Sequence, residues 1–308
     1  MRIKQVAVAL AAVALAATSA ACGKEGTPAP SGPGPTSASD ACQSAGVTYT
    51  PATSVNLTGS PTYDKIKSAG AIKIGVKADQ PGLGYKDTQG QRCGFDIEFT
   101  KLIAAKLGLD ASKIQYSEIP SANRETALKG GEVEVYVGTY SITDNRKKDV
   151  SFAGPYFLAG QSLLVRKNET AITSKETLQG KKVCSVTGST PIQRVRDMKL
   201  TDASNISEFK TYSECVSQLI DGKTDAVTTD DAILKGYAAQ APNQLKVVGE
   251  PFSVEKYGIG LPHDDTAFRN FVNDVLAAAV ADGTWKKIYD GTLGKSGSPG
   301  TPPGLERY

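Results

Sequence analysis

Apolar positions from about residue 64 onward fall into two alternating periods. Ile72-Lys73-Ile74-Gly75-Val76 reads as a strand. Phe95, Phe99, Leu102, Ile103 and Leu107 recur at helical spacing, and Gly108 is a good stop. Ile114 to Ile119 predicts a second strand. Ser121 is a cap for a short helix ending at Gly130-Gly131, and Val133, Val135 and Val137 make a third strand. Such alternation predicts an α/β layer around a largely parallel sheet.

The pattern then restarts. Lys182 to Val186 reads as a strand, and Thr190 before Pro191 as a helix start with proline at the first helical position. Thr211 with Glu214 fits a capping box for a helix carrying Val216, Leu219 and Ile220 and ending at Gly222. Asp225 to Thr229 is the next strand. Phe268, Phe271, Val272, Val275, Leu276 and Ala279 mark a late helix, and Trp285, Ile288 and Tyr289 close the fold. LKGGEVEVYVGT (128–139) echoes LIDGKTDAVTTD (219–230), as two lobes built alike would. Ligands of open α/β sheets sit beyond the carboxyl ends of the strands, so the loops at 138–146 and 229–231 are expected to line a shared cleft.

The ends of the chain read differently. Arg2 and Lys4 precede an apolar run from Val6 to Ala17, too short to span a bilayer, so residues 1–21 read as a secretory signal. Small residues before Cys22 resemble a lipoprotein cleavage box, which would put a lipid on Cys22 and hold the protein at the outer face of the cell membrane. Residues 23–41 are Gly, Pro, Ser, Thr and Ala with almost nothing to bury, and a flexible linker is expected over 22–60. Residues 294–308 are expected to be a disordered tail.

Composition narrows the function. Of 308 residues 40% are hydrophobic and 22% charged, enough for a buried core. Removing Arg2 and Lys4 from 35 basic residues leaves 33 against 32 acidic ones, so nothing draws the chain toward nucleic acid. His263 is the one histidine, which argues against Ser-His-Asp hydrolysis and histidine-rich metal sites; no metal or cofactor is expected. Besides Cys22 there are four cysteines, Cys42, Cys93, Cys184 and Cys215, with three pairings. Export favours disulfides; Cys184–Cys215 is preferred, and Cys42–Cys93 follows by elimination.

The loop GTYSITDNR (138–146) carries Ser141 and Arg146. A solvated turn is its plain interpretation; the functional one is a carboxylate grip, because a guanidinium matches two carboxylate oxygens. The helix start at Thr190 adds free N–H groups and a positive dipole end. Of Asp230 and Asp231, one is expected to cap the next helix and Asp230 to face the cleft and hold an ammonium. Arg146, Thr190 and Asp230 together describe a trap for a free amino acid.

These strings, with GFDIEFTKLIAAKLG (94–108), GTYSITDNRKKDVSFAGPYFLAGQSLLV (138–165), LQGKKVCSVTGST (178–190), DAVTTDDAIL (225–234), YGIGLP (257–262) and DGTWKKIY (282–289), occur in one order. Over roughly residues 60–293 the chain resembles the family 3 extracytoplasmic solute-binding proteins of amino-acid ABC importers, and most the glutamate-binding lipoproteins of Gram-positive bacteria. The resemblance implies a two-lobed, periplasmic-binding-protein-like (type II) α/β fold with two crossover strands. Lobe 1 would comprise 61–160 and 252–293, and lobe 2 161–251. It implies Arg146 on the ligand α-carboxylate with Ser141 and Thr190, Asp230 on the ammonium with the Thr139 carbonyl, and Arg124 on a distal carboxylate. Lys77, after the first strand, favours an acidic ligand, and Tyr85 packs on its carbon chain. The expected partners are L-glutamate or L-aspartate and the permease subunits of an ABC importer, with the protein a monomer. A glutamine binder and an exported dehydratase-like enzyme are the competing expectations; the second lacks a visible base–nucleophile pair.

Overall fold

The computed structural model describes residues 42–296 and 300–308. The expected signal, Cys22 and the linker to residue 41 lie outside the described residues. Helix α1 (Pro61–Ala69) starts at Ser60, whose side chain accepts from the Tyr63 amide, and stops at left-handed Gly70. There follow β1 (Ile72–Val76), the short pair β2 (Tyr85–Lys86) and β3 (Arg92–Cys93), α2 (Phe95–Lys106), β4 (Ile114–Glu118), α3 (Arg124–Lys129), β5 (Val135–Val137) and β6 (Ser151–Ala159). The next stretch holds β7 (Gln161–Arg166), β8 (Val183–Val186), α4 (Thr190–Asp197), β9 (Ile206–Phe209), α5 (Tyr212–Ile220), β10 (Ala226–Asp230), α6 (Asp231–Gln240) and β11 (Leu245–Val248). The chain ends with β12 (Glu255–Leu261), α7 (Thr266–Ala281) and α8 (Thr284–Gly291).

Two five-stranded sheets result, ordered β4-β1-β5-β12-β6 and β11-β7-β10-β8-β9. In the first, β1 runs parallel to β4 and β5, and β12 is antiparallel to β5 and β6. In the second, β8 runs parallel to β9 and β10, and β7 is antiparallel to β10 and β11. Each sheet therefore has a parallel trio, centred on β1 in one and on β8 in the other, and β5 and β10 hold equivalent places. That equivalence accounts for the echo between 128–139 and 219–230. Only Gly160 separates β6 in one sheet from β7 in the other, and the chain returns between β11 and β12. Two crossings thus join two α/β halves, the type II two-lobed fold. Apolar β1, β5 and β8 are buried almost throughout, as strands in a parallel layer covered on both faces must be.

Both expected disulfides form. Cys184 in β8 joins Cys215 in α5, 31 residues apart, and Cys93 at the end of β3 joins Cys42, 51 residues apart. Closing the first loop constrains the unfolded chain by about 3–4 kcal/mol. The Cys184→Ser/Cys215→Ser variant is therefore expected to unfold at clearly lower denaturant, measured as a drop in the urea midpoint, with a slope no smaller than wild type because the released unfolded chain exposes more surface.

Two stretches depart from the sequence expectation. Residues 42–60 are not a free linker. Beyond the Cys42 bridge, Val47, Tyr49, Val55 and Leu57 pack on the core, the Tyr49 hydroxyl donates to Glu98 at 2.8 Å, and the Ala52 amide bonds the Ala105 carbonyl. Residues 300–308 of the expected tail are also held. The Glu306 amide bonds Gly154 O, Lys256 pairs with Glu306, Arg307 with Asp274, and Lys147 lies over the Tyr308 ring. Both stretches are poor in apolar residues, but a few side chains and one bridge suffice to seat them.

Candidate functional site

The carboxyl ends of β4, β5, β8 and β10 meet where the two halves face each other. The gap there measures about 230 Å³, counting the part open to solvent, and its charged lining residues are Arg124, Arg146 and Asp230. Ser121, Thr139, Ser141, Ser189, Thr190, Pro191, Tyr212 and Ile233 complete it.

Arg124 begins α3 and is almost wholly buried. Its Nε donates to Ser121 O at 3.0 Å, and its terminal nitrogens to Thr139 O and, across the gap, to Gly188 O, each at 3.3 Å. Arg146 lies in a 3₁₀ turn after the β5 loop, donating to Ser141 O at 2.7 Å and to the same Gly188 O at 3.0 Å, with Nε 3.1 Å from Glu125. Both guanidiniums lie over the buried Tyr140 ring, at 4.3 and 5.1 Å from its centroid. The ring faces offer about 2 kcal/mol to a desolvated cation. Burial above all, then the charge of Arg124, lowers the Arg146 pKa to about 10, which leaves Arg146 a cation at neutral pH. Each keeps N–H donors beyond the three bonded nitrogens. Two adjacent guanidiniums in a closed gap favour an anion between them.

Thr139 sits at φ +45, a strained value for a β-branched residue. Buried Asp96 holds it there, taking the Thr139 amide at 3.2 Å and the Tyr156 hydroxyl at 2.7 Å, and burial raises the Asp96 pKa to about 6. Gly188 is at φ +76, and a Cβ there would lie 2.7 Å from Ala122 of the facing half. Only glycine brings that carbonyl to both arginines.

From the second half, Thr190 opens α4 and its hydroxyl lies 3.3 Å from Ser141 and 2.9 Å from Glu255. The cap of that helix is Ser189, whose hydroxyl accepts the Ile192 amide, so the helix starts one residue before the expected boundary. Asp230 ends β10. Asp231 does not cap α6 as expected: it lies in the first turn, where its carboxylate accepts the Gly160 amide and pairs with Lys235. Asp230 occupies the cap position without a capping bond, because Tyr257 from β12 donates to its Oδ2 at 2.6 Å. Its Oδ1 is buried with no hydrogen-bond partner among the described residues. Burial, reinforced by Glu255, raises the Asp230 pKa from 3.8 to about 8.

A carboxyl that holds its proton more tightly folded than unfolded makes folding favour protonation. Its stabilising effect is full below about pH 4 and is lost as pH rises toward about 8. Asp230→Asn is therefore expected to stabilise the ligand-free protein progressively relative to wild type between pH 5 and 8. Thermal melts across that range check it; a constant difference in melting temperature contradicts it.

Arg124, Arg146, Ser141, Thr139, Thr190 and Asp230 thus surround one gap. Two expected residues do not. Lys77 is buried behind it, donating to Ile119 O at 3.2 Å and Ser121 Oγ at 2.9 Å, with its pKa lowered to about 7 by burial first and Arg124 second. Ser121, expected to cap a helix, is occupied by this lysine and leads a 3₁₀ turn into α3. Tyr85 is half-buried in the β2–β3 pair opposite Cys93, because the chain after Lys77 turns Leu83, not Tyr85, into the core. Sequence reasoning missed Ser121, Ser189, Tyr212 and Ile233. Only Ser189, a better cap than Thr190, carried a signal. Among the described residues no cluster of metal-ligating side chains occurs, and no helix is long and apolar enough to cross a membrane.

The model of the bacterial extracellular solute-binding proteins, family 3, matches residues 72–295. The chain is 40% identical over 249 residues to the glutamate-binding protein GluB of Corynebacterium efficiens, covering 77% of this chain and 84% of that protein. It is 42% identical over 203 residues to the glutamine-binding protein of Geobacillus stearothermophilus, covering 66% and 76%. Among solved structures, an ancestral arginine-binding protein bound to glutamine is 37% identical with a TM-score of 0.68, over 73% of this chain and 98% of that one. The chain belongs to family 3 of the bacterial extracellular solute-binding proteins.

Proposed function

We propose that this protein captures a free acidic amino acid, L-glutamate before L-aspartate, between its two halves and delivers it to an ABC permease. The supporting observation is the charge layout of one gap. Two buried guanidiniums face a buried carboxylate with an oxygen that has no partner among the described residues. A zwitterion neutralises Arg146 with its carboxylate and Asp230 with its ammonium, and a second carboxylate on the ligand answers Arg124. Ser141 and Thr190 close on the α-carboxylate, and the Thr139 carbonyl shares the ammonium. An ammonium beside Asp230 favours the ionised carboxylate that burial alone disfavours. The names of the relatives support an amino acid but divide between glutamate and glutamine. Glutamate is favoured because a neutral amide leaves Arg124 short of a charged partner, worth about 1.5–3 kcal/mol. A lipid on Cys22 would keep the protein near its permease.

The test is a calorimetric titration with the twenty amino acids after unfolding and refolding to remove carried-over ligand. Saturable glutamate binding at least tenfold tighter than glutamine is expected. Tighter glutamine binding selects the neutral ligand, and product formation from the bound amino acid would make the protein an enzyme.

A further inference from the structure

We propose that Asp79 is a latch that joins the two halves and sets how tightly the closed protein holds its ligand, without touching that ligand. Asp79 follows β1 in the first half. Its Oδ2 accepts the amides of Tyr212 at 2.8 Å and Ser213 at 3.2 Å, the first two residues of the nine-residue α5 in the second half. The Tyr237 hydroxyl of α6 donates to the same residue. Within its own half, α5 satisfies other groups through Thr211 and Glu214, which serve each other's amides. Among the described residues, the acceptor of the Tyr212 and Ser213 amides is Asp79, at the positive end of the helix.

The neighbouring residues seat as closely. A Cβ on Gly236 of α6 would lie 2.3 Å from the Pro81 carbonyl, so bare backbone is required where this loop meets the helix. The receiving end is rigid, because Cys215 ties α5 to β8. Asp79 does not line the gap. Its contacts exist only when the halves are together, so they favour the closed state whatever the ligand. A weakened latch then lowers affinity by one common factor, and mainly by faster opening.

The affinity arm of the test rests on the proposed amino-acid capture; the scattering arm does not. Asp79→Ala is expected to raise the Kd for glutamate and for glutamine by the same factor, about 10- to 100-fold. The dissociation rate rises and the association rate stays near wild type. Gly236→Ala, which improves helix propensity while crowding Pro81, is expected to act in the same direction and keeps the test valid if Asp79→Ala fails to fold. Small-angle scattering of the ligand-free variants is expected to show a larger radius of gyration than wild type. If the wild-type protein takes up neither amino acid, the functional reading fails while the scattering comparison still decides the latch. An unchanged Kd with an unchanged radius overturns the proposal. A loss that falls on one amino acid alone also overturns it, because Asp79 would then be a ligand contact.

Discussion

Asp230→Ala is expected to abolish amino-acid binding while leaving the fold intact. Removing one partner of a buried ion pair strands the other, at about 3–5 kcal/mol, which corresponds to a loss of roughly a hundred- to a few thousand-fold. The ligand ammonium would face a dry gap whose other charged groups are Arg124 and Arg146. The variant also loses a carboxyl whose pKa is raised to about 8, so its ligand-free form should melt no lower than wild type at pH 8. Calorimetry and melting together separate the two effects. Retained micromolar affinity removes Asp230 from the site, and a collapsed melting temperature reassigns it to structure.

Arg124→Ala has the second largest expected effect, and its size depends on the ligand. Arg124 does two things: it bonds Gly188 across the gap and it presents charge to the far end of the ligand. Loss of the first weakens closure for every amino acid. Loss of the second falls on glutamate, by about 10- to 100-fold beyond the common loss, because a charged hydrogen bond disappears. The ratio of glutamate to glutamine affinity is therefore the informative quantity. An unchanged ratio would make Arg124 a structural bridge only.

Much of this arrangement was legible in the sequence because strand–helix grammar fixes where loops fall. Once Val133 to Val137 and Asp225 to Thr229 are read as strands, Ser141, Arg146 and Asp230 must lie beyond carboxyl ends, where a doubly wound sheet exposes its loops. The repeated Leu-Gly-acid-strand phrase foretold that the two strands are equivalent. What the pattern does not encode is the direction in which an irregular loop turns. Lys77 sits one residue past β1, and whether it enters the gap or the space behind it depends on how Leu83 and the Cys93 bridge pull the chain. Its burial behind Ser121 follows from that turn. Composition misled at residues 42–60, where Val47, Tyr49, Val55 and Leu57 were visible but sparse, and a bridge 51 residues long holds them. The close approaches at Gly188 and Gly236 were invisible for a related reason: a glycine announces freedom, not the neighbour that needs it.

The most direct measurement is a crystal structure of the refolded protein grown with L-glutamate. The α-carboxylate is expected at hydrogen-bond distance from Arg146, the ammonium at the same distance from Asp230, and the distal carboxylate on Arg124, with the two halves closed as described. Glutamate bound elsewhere, or bound with its ammonium away from Asp230, would contradict a site built on opposite charges facing across one gap.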